Sequence, residues 1–178
     1  MKQQRQDVRD LVLSALLIAL VTVSTMSIQI PVPMTSGYIH LGDSMIFLVA
    51  IFFGRKKGLI AAGIGSMLAD IFSGYAHWAP FTLIIKACMG YVAGSIAFRK
   101  EEGGAFFSIR LFTALIAGSL VMVGGYFVGG SILKSSMIVA LQSVPENMIQ
   151  AGLGAGIFLV VGKAFDKLSL QRYFEKRA

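Results

Sequence analysis

At 178 residues, with 56% hydrophobic and 14% charged residues and a mean hydropathy of +0.74, the chain has the balance of an integral membrane protein and not of a soluble domain. Its net charge of +7 lies in short basic clusters between apolar runs rather than along one face, which argues against a nucleic-acid partner. Its single cysteine, Cys88, excludes a disulfide framework, and no ligand spacing calls for a metal or another cofactor.

The first apolar run, residues 11–30, has the roughly 20 residues a spanning helix needs and follows Lys2, Arg5 and Arg9. It is longer than the apolar region of a cleaved leader, so it reads as a retained helix. Pro31-Val32-Pro33 ends it, and Met34 to His40 reads as an irregular loop. Runs 41–54 and 58–72 follow, separated by Arg55, Lys56 and Lys57. Both are short for a bilayer, and each carries an aspartate at the end remote from that basic turn, Asp43 and Asp70. This is the pattern of helices that finish in a protein-lined, wet cavity. Gly74 stops the third run, and Tyr75, His77, Trp78 and Pro80 make a short aromatic loop. Further runs cover 79–98, 109–130 and 144–165.

The expected fold is therefore an all-α integral membrane protein, a single membrane domain over 1–178 with six transmembrane helices and both termini cytoplasmic. With the N-terminus inside, all of the 16 basic residues except Lys86 and Lys134 fall on the cytoplasmic side. In the same orientation the embedded ionisable groups lie in the outer half, with Lys86 roughly 9 Å below Pro80 along its helix. The sequence thus describes a cup open to the outside over an apolar, small-residue inner half.

Each polar residue has a structural reading beside a functional one. Lys86, with Thr82 one turn before it, is either a ligand contact or the partner of a carboxylate, Asp70 or Glu146. Asp43 opens a helix, where a carboxylate caps amides and favours the dipole. Asp70 lies near a helix C-terminus, where negative charge is unfavourable, so it is expected to pair with a cation, and Lys86 is nearest in sequence. Ser143-Val144-Pro145-Glu146 fits a capping box, which accounts for Glu146 as well as ligand binding does. Capping does not account for Asn147 and Gln150, two amides on one helical face at bilayer depth, which point to a site lining. Tyr38, His40, Tyr75, His77 and Trp78 gather in two outer loops. Singly they are interfacial anchors; together they suit stacking on a flat heteroaromatic ligand, with Trp78 and His77 first. Small-residue pairs at Ala15 and Ala19, Ala61 and Gly65, and Gly152 and Gly156 allow close helix approach, inside the bundle or against a membrane partner.

These strings carry a resemblance. Gly37-Tyr38-Ile39-His40-Leu41-Gly42-Asp43, then Gly63-Ile64-Gly65-Ser66 through Asp70, then Ser73-Gly74-Tyr75-Ala76-His77-Trp78-Ala79-Pro80-Phe81-Thr82 with Lys86, then Pro145-Glu146-Asn147-Met148-Ile149-Gln150 closely resemble the substrate-binding S components of energy-coupling factor (ECF) vitamin transporters. The match runs from about Val8 to Phe165 and is similar to a branch assigned to pyridoxine-type or hydroxymethylpyrimidine-type vitamins. The resemblance implies a plasma-membrane protein that captures its vitamin from outside. It also implies docking on a transmembrane coupling subunit, the T component, energised by two cytosolic ATPases, with Ala15 and Ala19 facing that subunit. In the family the site is formed by the outer loops and the outer parts of the fourth to sixth helices. Here that implies Tyr38, His40, Asp70, His77, Trp78, Thr82, Lys86, Glu146, Asn147 and Gln150, while the fifth helix offers only Ser119 and Tyr126.

The chain has no G-x-x-x-x-G-K-[ST], so ATP hydrolysis falls to a partner and the chain is not expected to be an enzyme. Two rival readings are a proton-coupled secondary carrier working through Asp70 and Lys86, and a membrane-embedded enzyme using Lys86 and a carboxylate as acid and base.

Overall fold

From Met45 to Phe53 every side chain is apolar, and a helix apolar all round belongs where every side is covered. That is its place in the computed structural model, which describes residues 2–32, 37–98 and 105–168, with side chains from residue 4 onward. Helix α2 (Gly42–Phe53) is a central rod, buried along nearly its whole length. Around it pack α1 (Lys2–Ser27), α3 (Arg55–Phe72), α4 (Ala79–Ala97) and α7 (Ser143–Lys167), and α5 (Ile109–Leu133) packs on α4 and α7. Phe47, Ile46 and Ile51 of α2 are fully enclosed with Met89 of α4, Leu111 and Met122 of α5 and Phe158 of α7.

The protein is mostly helical. Among the described residues, four helical stretches are long and apolar enough to cross a membrane: Gln4–Ser27, Ala79–Ala97, Ile109–Leu133 and Met137–Lys167. Helix α2 is apolar but shorter, and α3 opens on Arg55, Lys56 and Lys57, so length and composition single out four of the six expected spans. Of the features read from sequence, Pro33, Met34, Arg99, Lys100, Arg172, Lys176, Arg177 and the Lys2 side chain lie outside the described residues.

Three boundaries depart from the sequence reading. The first helix ends at Ser27 rather than at Ile30, because Gln29–Val32 forms strand β1, paired antiparallel with β2 (Gly37–His40). Pro31 disfavours a helical Ile30, and the segment expected as an irregular loop supplies the pairing strand. The hairpin is tied to the end of α3 by Gln29 Nε2, which donates to Ser73 Oγ at 2.8 Å. The third difference is a short helix, α6 (Met137–Leu141), ahead of α7. Pro145 cannot donate to the carbonyl four residues back, so the apolar run breaks near Gln142 instead of continuing as one helix.

Helices α3 and α4 approach closely enough for their backbones to touch. A Cβ placed on Gly90 would lie 2.4 Å from the Gly58 carbonyl oxygen, which has no room to yield. Gly90→Ala is therefore expected to destabilise the bundle by roughly 1–3 kcal/mol, despite the better helix propensity of alanine. Gly124→Ala, at an α5 position with no atom within 4 Å, should be neutral or stabilising. Thermal unfolding of the purified variants checks the pair.

Candidate ligand-binding cleft

Polar side chains in an apolar bundle are costly unless satisfied, so the place where they gather is informative. Asp43, Asp70, Lys86 and Glu146 all lie toward the hairpin end of the bundle. There the structure forms a cleft with about 450 Å³ of empty space, open mouth included. Strand β2 contributes Gly37, Tyr38 and His40, and the last turn of α3 contributes Asp70. Trp78 and Thr82 come from the start of α4, Tyr126 from α5, and Ser143, Glu146, Asn147 and Gln150 from α7.

Behind this lining a buried network joins four elements. Lys86 Nζ of α4 donates to Asp43 Oδ1 of α2, and both side chains are fully enclosed. Asp43 Oδ2 accepts from Gln150 Nε2 of α7 at 3.0 Å, and Gln150 Oε1 accepts the His40 backbone N–H of β2 at 3.1 Å. The Lys86 ammonium also lies 5.4 Å from the Tyr126 ring, a cation–π distance. Gly154 makes the approach of α7 possible, because a Cβ there would lie 2.7 Å from Asp43 Cβ.

The pairings differ from those expected. Asp43 was expected to cap amides, but α2 has no side-chain cap, and Asp43 instead takes Lys86. Asp70, expected opposite Lys86, accepts from Tyr38 OH at 2.7 Å, because the hairpin folds back over α3. The capping box does not form: Ser143 lies inside α7, and its Oγ donates to the Ala140 carbonyl. Side-chain caps of that kind occur instead at Ser108 for α5 and Ser136 for α6.

Of the candidate residues, Tyr38, His40, Asp70, Trp78, Thr82, Glu146, Asn147 and Gln150 share the cleft. Two do not line it: Lys86 sits behind Gln150 on Asp43, and His77 is exposed, 6.2 Å from the Trp78 ring on the loop side. Trp78 is buried and packs edge-on against Phe81 and Tyr126. Gly37, Tyr126 and Ser143 are lining residues that sequence reasoning left out of the site. Tyr126, the one strongly polar ring among Gly124, Gly125, Gly129 and Gly130, carried a signal; its hydroxyl lies 3.1 Å from Thr82 Oγ1.

Hairpin chemistry is set by burial. Enclosure, and then the Asp70 carboxylate, push the Tyr38 phenol well above its ordinary range, so it remains a hydrogen-bond donor. His40 is lowered from 6.5 to about 4 by burial and then by the Lys86 charge, against a smaller opposite pull from Asp43. Its Nδ1 accepts the Gly42 N–H at 3.1 Å, so the ring is neutral with its proton on Nε2.

Two outcomes follow from this electrostatics. Lys86→Met leaves Asp43 charged and unpaired in the interior and should cost roughly 3–5 kcal/mol. Adding Asp43→Asn should recover part of that loss, read by chemical denaturation of both variants. For His40, the unfolded chain takes up its proton near 6.5 and the folded chain only near 4. The contribution is complete above pH 6.5 and is lost as pH falls through that window. Lowering pH from 7 to 5 should weaken the fold by about 2 kcal/mol through this residue. The slope should flatten in His40→Gln, measured as unfolding midpoints against pH.

A sequence profile of the family described as "ECF-type riboflavin transporter, S component" matches residues 5–167. The chain is 43% identical over 142 residues to an uncharacterized protein of Pyrococcus woesei, covering 75% of this chain and 91% of that one. It is 26% identical over 172 residues, 96% of each chain, to the thiamine precursor transporter HmpT of Lactococcus lactis subsp. cremoris (strain MG1363). A UPF0397 protein of Streptococcus pneumoniae (strain Hungary19A-6) is 28% identical over 130 residues, 73% of this chain and 70% of its own length. The profile describes a membrane transport subunit and not an enzyme, in keeping with the apolar helices and the absence of a nucleotide loop. Matched from its first helix to the end of α7, the chain belongs to the ECF-type riboflavin transporter S component family.

Proposed function

We propose that this S component captures hydroxymethylpyrimidine, the pyrimidine precursor of thiamine, from outside the cell and delivers it through an ECF complex. The observation that carries the reading is a polar cleft at one end of an otherwise apolar bundle, in a chain of S-component sequence. The pyrimidine is preferred to pyridoxine because the relative aligned along 96% of both chains is a thiamine precursor transporter. Six helices cross the plasma membrane with both termini cytoplasmic and the hairpin end outside. The positive-inside distribution supports that orientation, since Arg55, Lys56, Lys57, Lys163 and Lys167 lie at helix ends remote from the cleft.

The ligand's ring packs beside Trp78 beneath the hairpin, and its polar groups bond to Asn147, Glu146 and Asp70. His77 flanks the entrance from the loop, and Lys86 acts indirectly by holding Asp43 and through it Gln150. The enclosed core beyond the cleft is apolar, and in this reading the loaded protein moves as a whole relative to a transmembrane T component driven by two cytosolic ATPases. Ala15 and Ala19, exposed on α1, form a small-residue strip where such a subunit can approach closely.

Titration of the full-length protein in lipid nanodiscs with hydroxymethylpyrimidine, pyridoxine and riboflavin tests the assignment. The pyrimidine should bind tightest, and Asn147→Ala should weaken it by roughly tenfold, the effect of one lost hydrogen bond. Ala15→Leu with Ala19→Leu should preserve that binding while abolishing uptake in cells that supply the other subunits. Preferential binding of riboflavin or pyridoxine overturns the pyrimidine assignment alone. Uptake into vesicles holding only this chain, driven by a pH gradient, overturns the S-component mechanism in favour of a secondary carrier.

A further inference from the structure

Asp70 is the one carboxylate in the cleft whose hydrogen bonding is visibly half complete among the described residues. It is 5% exposed and sits in the last turn of α3, where the helix dipole disfavours negative charge. Oδ1 accepts from Tyr38 OH at 2.7 Å, whereas Oδ2, equally buried, has no hydrogen-bond partner. Lys86 is held by Asp43, and the Thr82 hydroxyl, beside Asp70, also lies 3.1 Å from Tyr126 OH. A buried acceptor without a donor is costly, and a built site retains one where the ligand itself brings the donor.

Gln150 is engaged through both amide atoms, to His40 N–H and to Asp43, whereas Asn147, whose Nδ2 donates to the Ser143 carbonyl, keeps Oδ1 as a neutral acceptor. Asp70 thus lines the cleft as a carboxyl held by Tyr38 through one oxygen, with the other left to a donor that the ligand brings. A planar ring carrying an amino substituent supplies a matching N–H in the plane of the ring.

We propose that Asp70 Oδ2 is the acceptor for the exocyclic amino group of an aminopyrimidine, which makes Asp70 the residue that determines specificity in this cleft. The inference rests on the pyrimidine reading above and goes beyond it, since it distinguishes ligands by one functional group. A ring of the same size without the amino group leaves Oδ2 buried and unpaired and is rejected for that reason.

The test uses the full-length protein in nanodiscs and two probes, 4-amino-5-hydroxymethyl-2-methylpyrimidine and its analogue lacking the 4-amino group. The wild-type protein is expected to prefer the amino compound by on the order of tenfold to a hundredfold. Asp70→Asn keeps an oxygen for Tyr38 but turns an N–H toward the ligand, so the preference should disappear. A cooperative thermal unfolding transition near the wild-type midpoint shows that the variant is folded. Equal wild-type affinity for the two pyrimidines, or a preference that survives in Asp70→Asn, overturns the role of Asp70 and leaves the pyrimidine reading standing. Failure of the wild type to bind either pyrimidine while it binds pyridoxine or riboflavin overturns the reading and the role together. Should the variant bind neither compound, the wild-type ratio alone decides.

Discussion

The enclosed ion pair between Lys86 and Asp43 is the constraint on which the rest of the arrangement depends. Two charges cannot be removed from water cheaply, and their attraction alone does not guarantee a net gain in stability. What the pair does here is positional. It fixes α4 against α2, and Asp43 then has a second oxygen to hold Gln150 of α7, which in turn holds the backbone of His40. Four elements from three separate parts of the sequence are thereby set in one register. An apolar pair of similar volume could fill the space but would not orient Gln150 or anchor the hairpin.

Close backbone packing makes this geometry accessible. Gly154 brings α7 against Asp43, and Gly90 with Gly58 brings α4 against α3. In surroundings as apolar as the helices themselves, such contacts depend on van der Waals proximity, for which small residues are suited. Beyond the hairpin end the fully enclosed side chains are mainly apolar, Ile46, Phe47, Ile51, Met89, Met122 and Phe158 among them.

The hairpin completes the cleft. Among the described residues, besides its strand pairing, Tyr38 is bonded to Asp70, Gln29 to Ser73 and His40 N–H to Gln150. Each such bond is worth about 1 kcal/mol net, more where the acceptor is charged. These bonds join it to α3 and α7, and ring contacts such as that between Tyr38 and Tyr75, 4.6 Å apart, add to them.

Local chemistry along the chain determined a good deal. Uninterrupted apolar runs can satisfy their backbone only as helices in a bilayer, so the helical segments and their basic boundaries were legible. Asn147 and Gln150 stood out because amides on one face of an apolar helix need partners, and both do line the cleft. The tertiary structure alone decided which charges meet. Lys86 is nearer to Asp70 in sequence, yet it takes Asp43, because α2 is the central rod that α4 crosses and the hairpin brings Tyr38 to Asp70. It also drew Tyr126 into the lining and left His77 outside it. Sequence spacing sets which face of one helix a residue occupies, whereas partners are chosen by packing among several helices, and no local pattern encodes that choice.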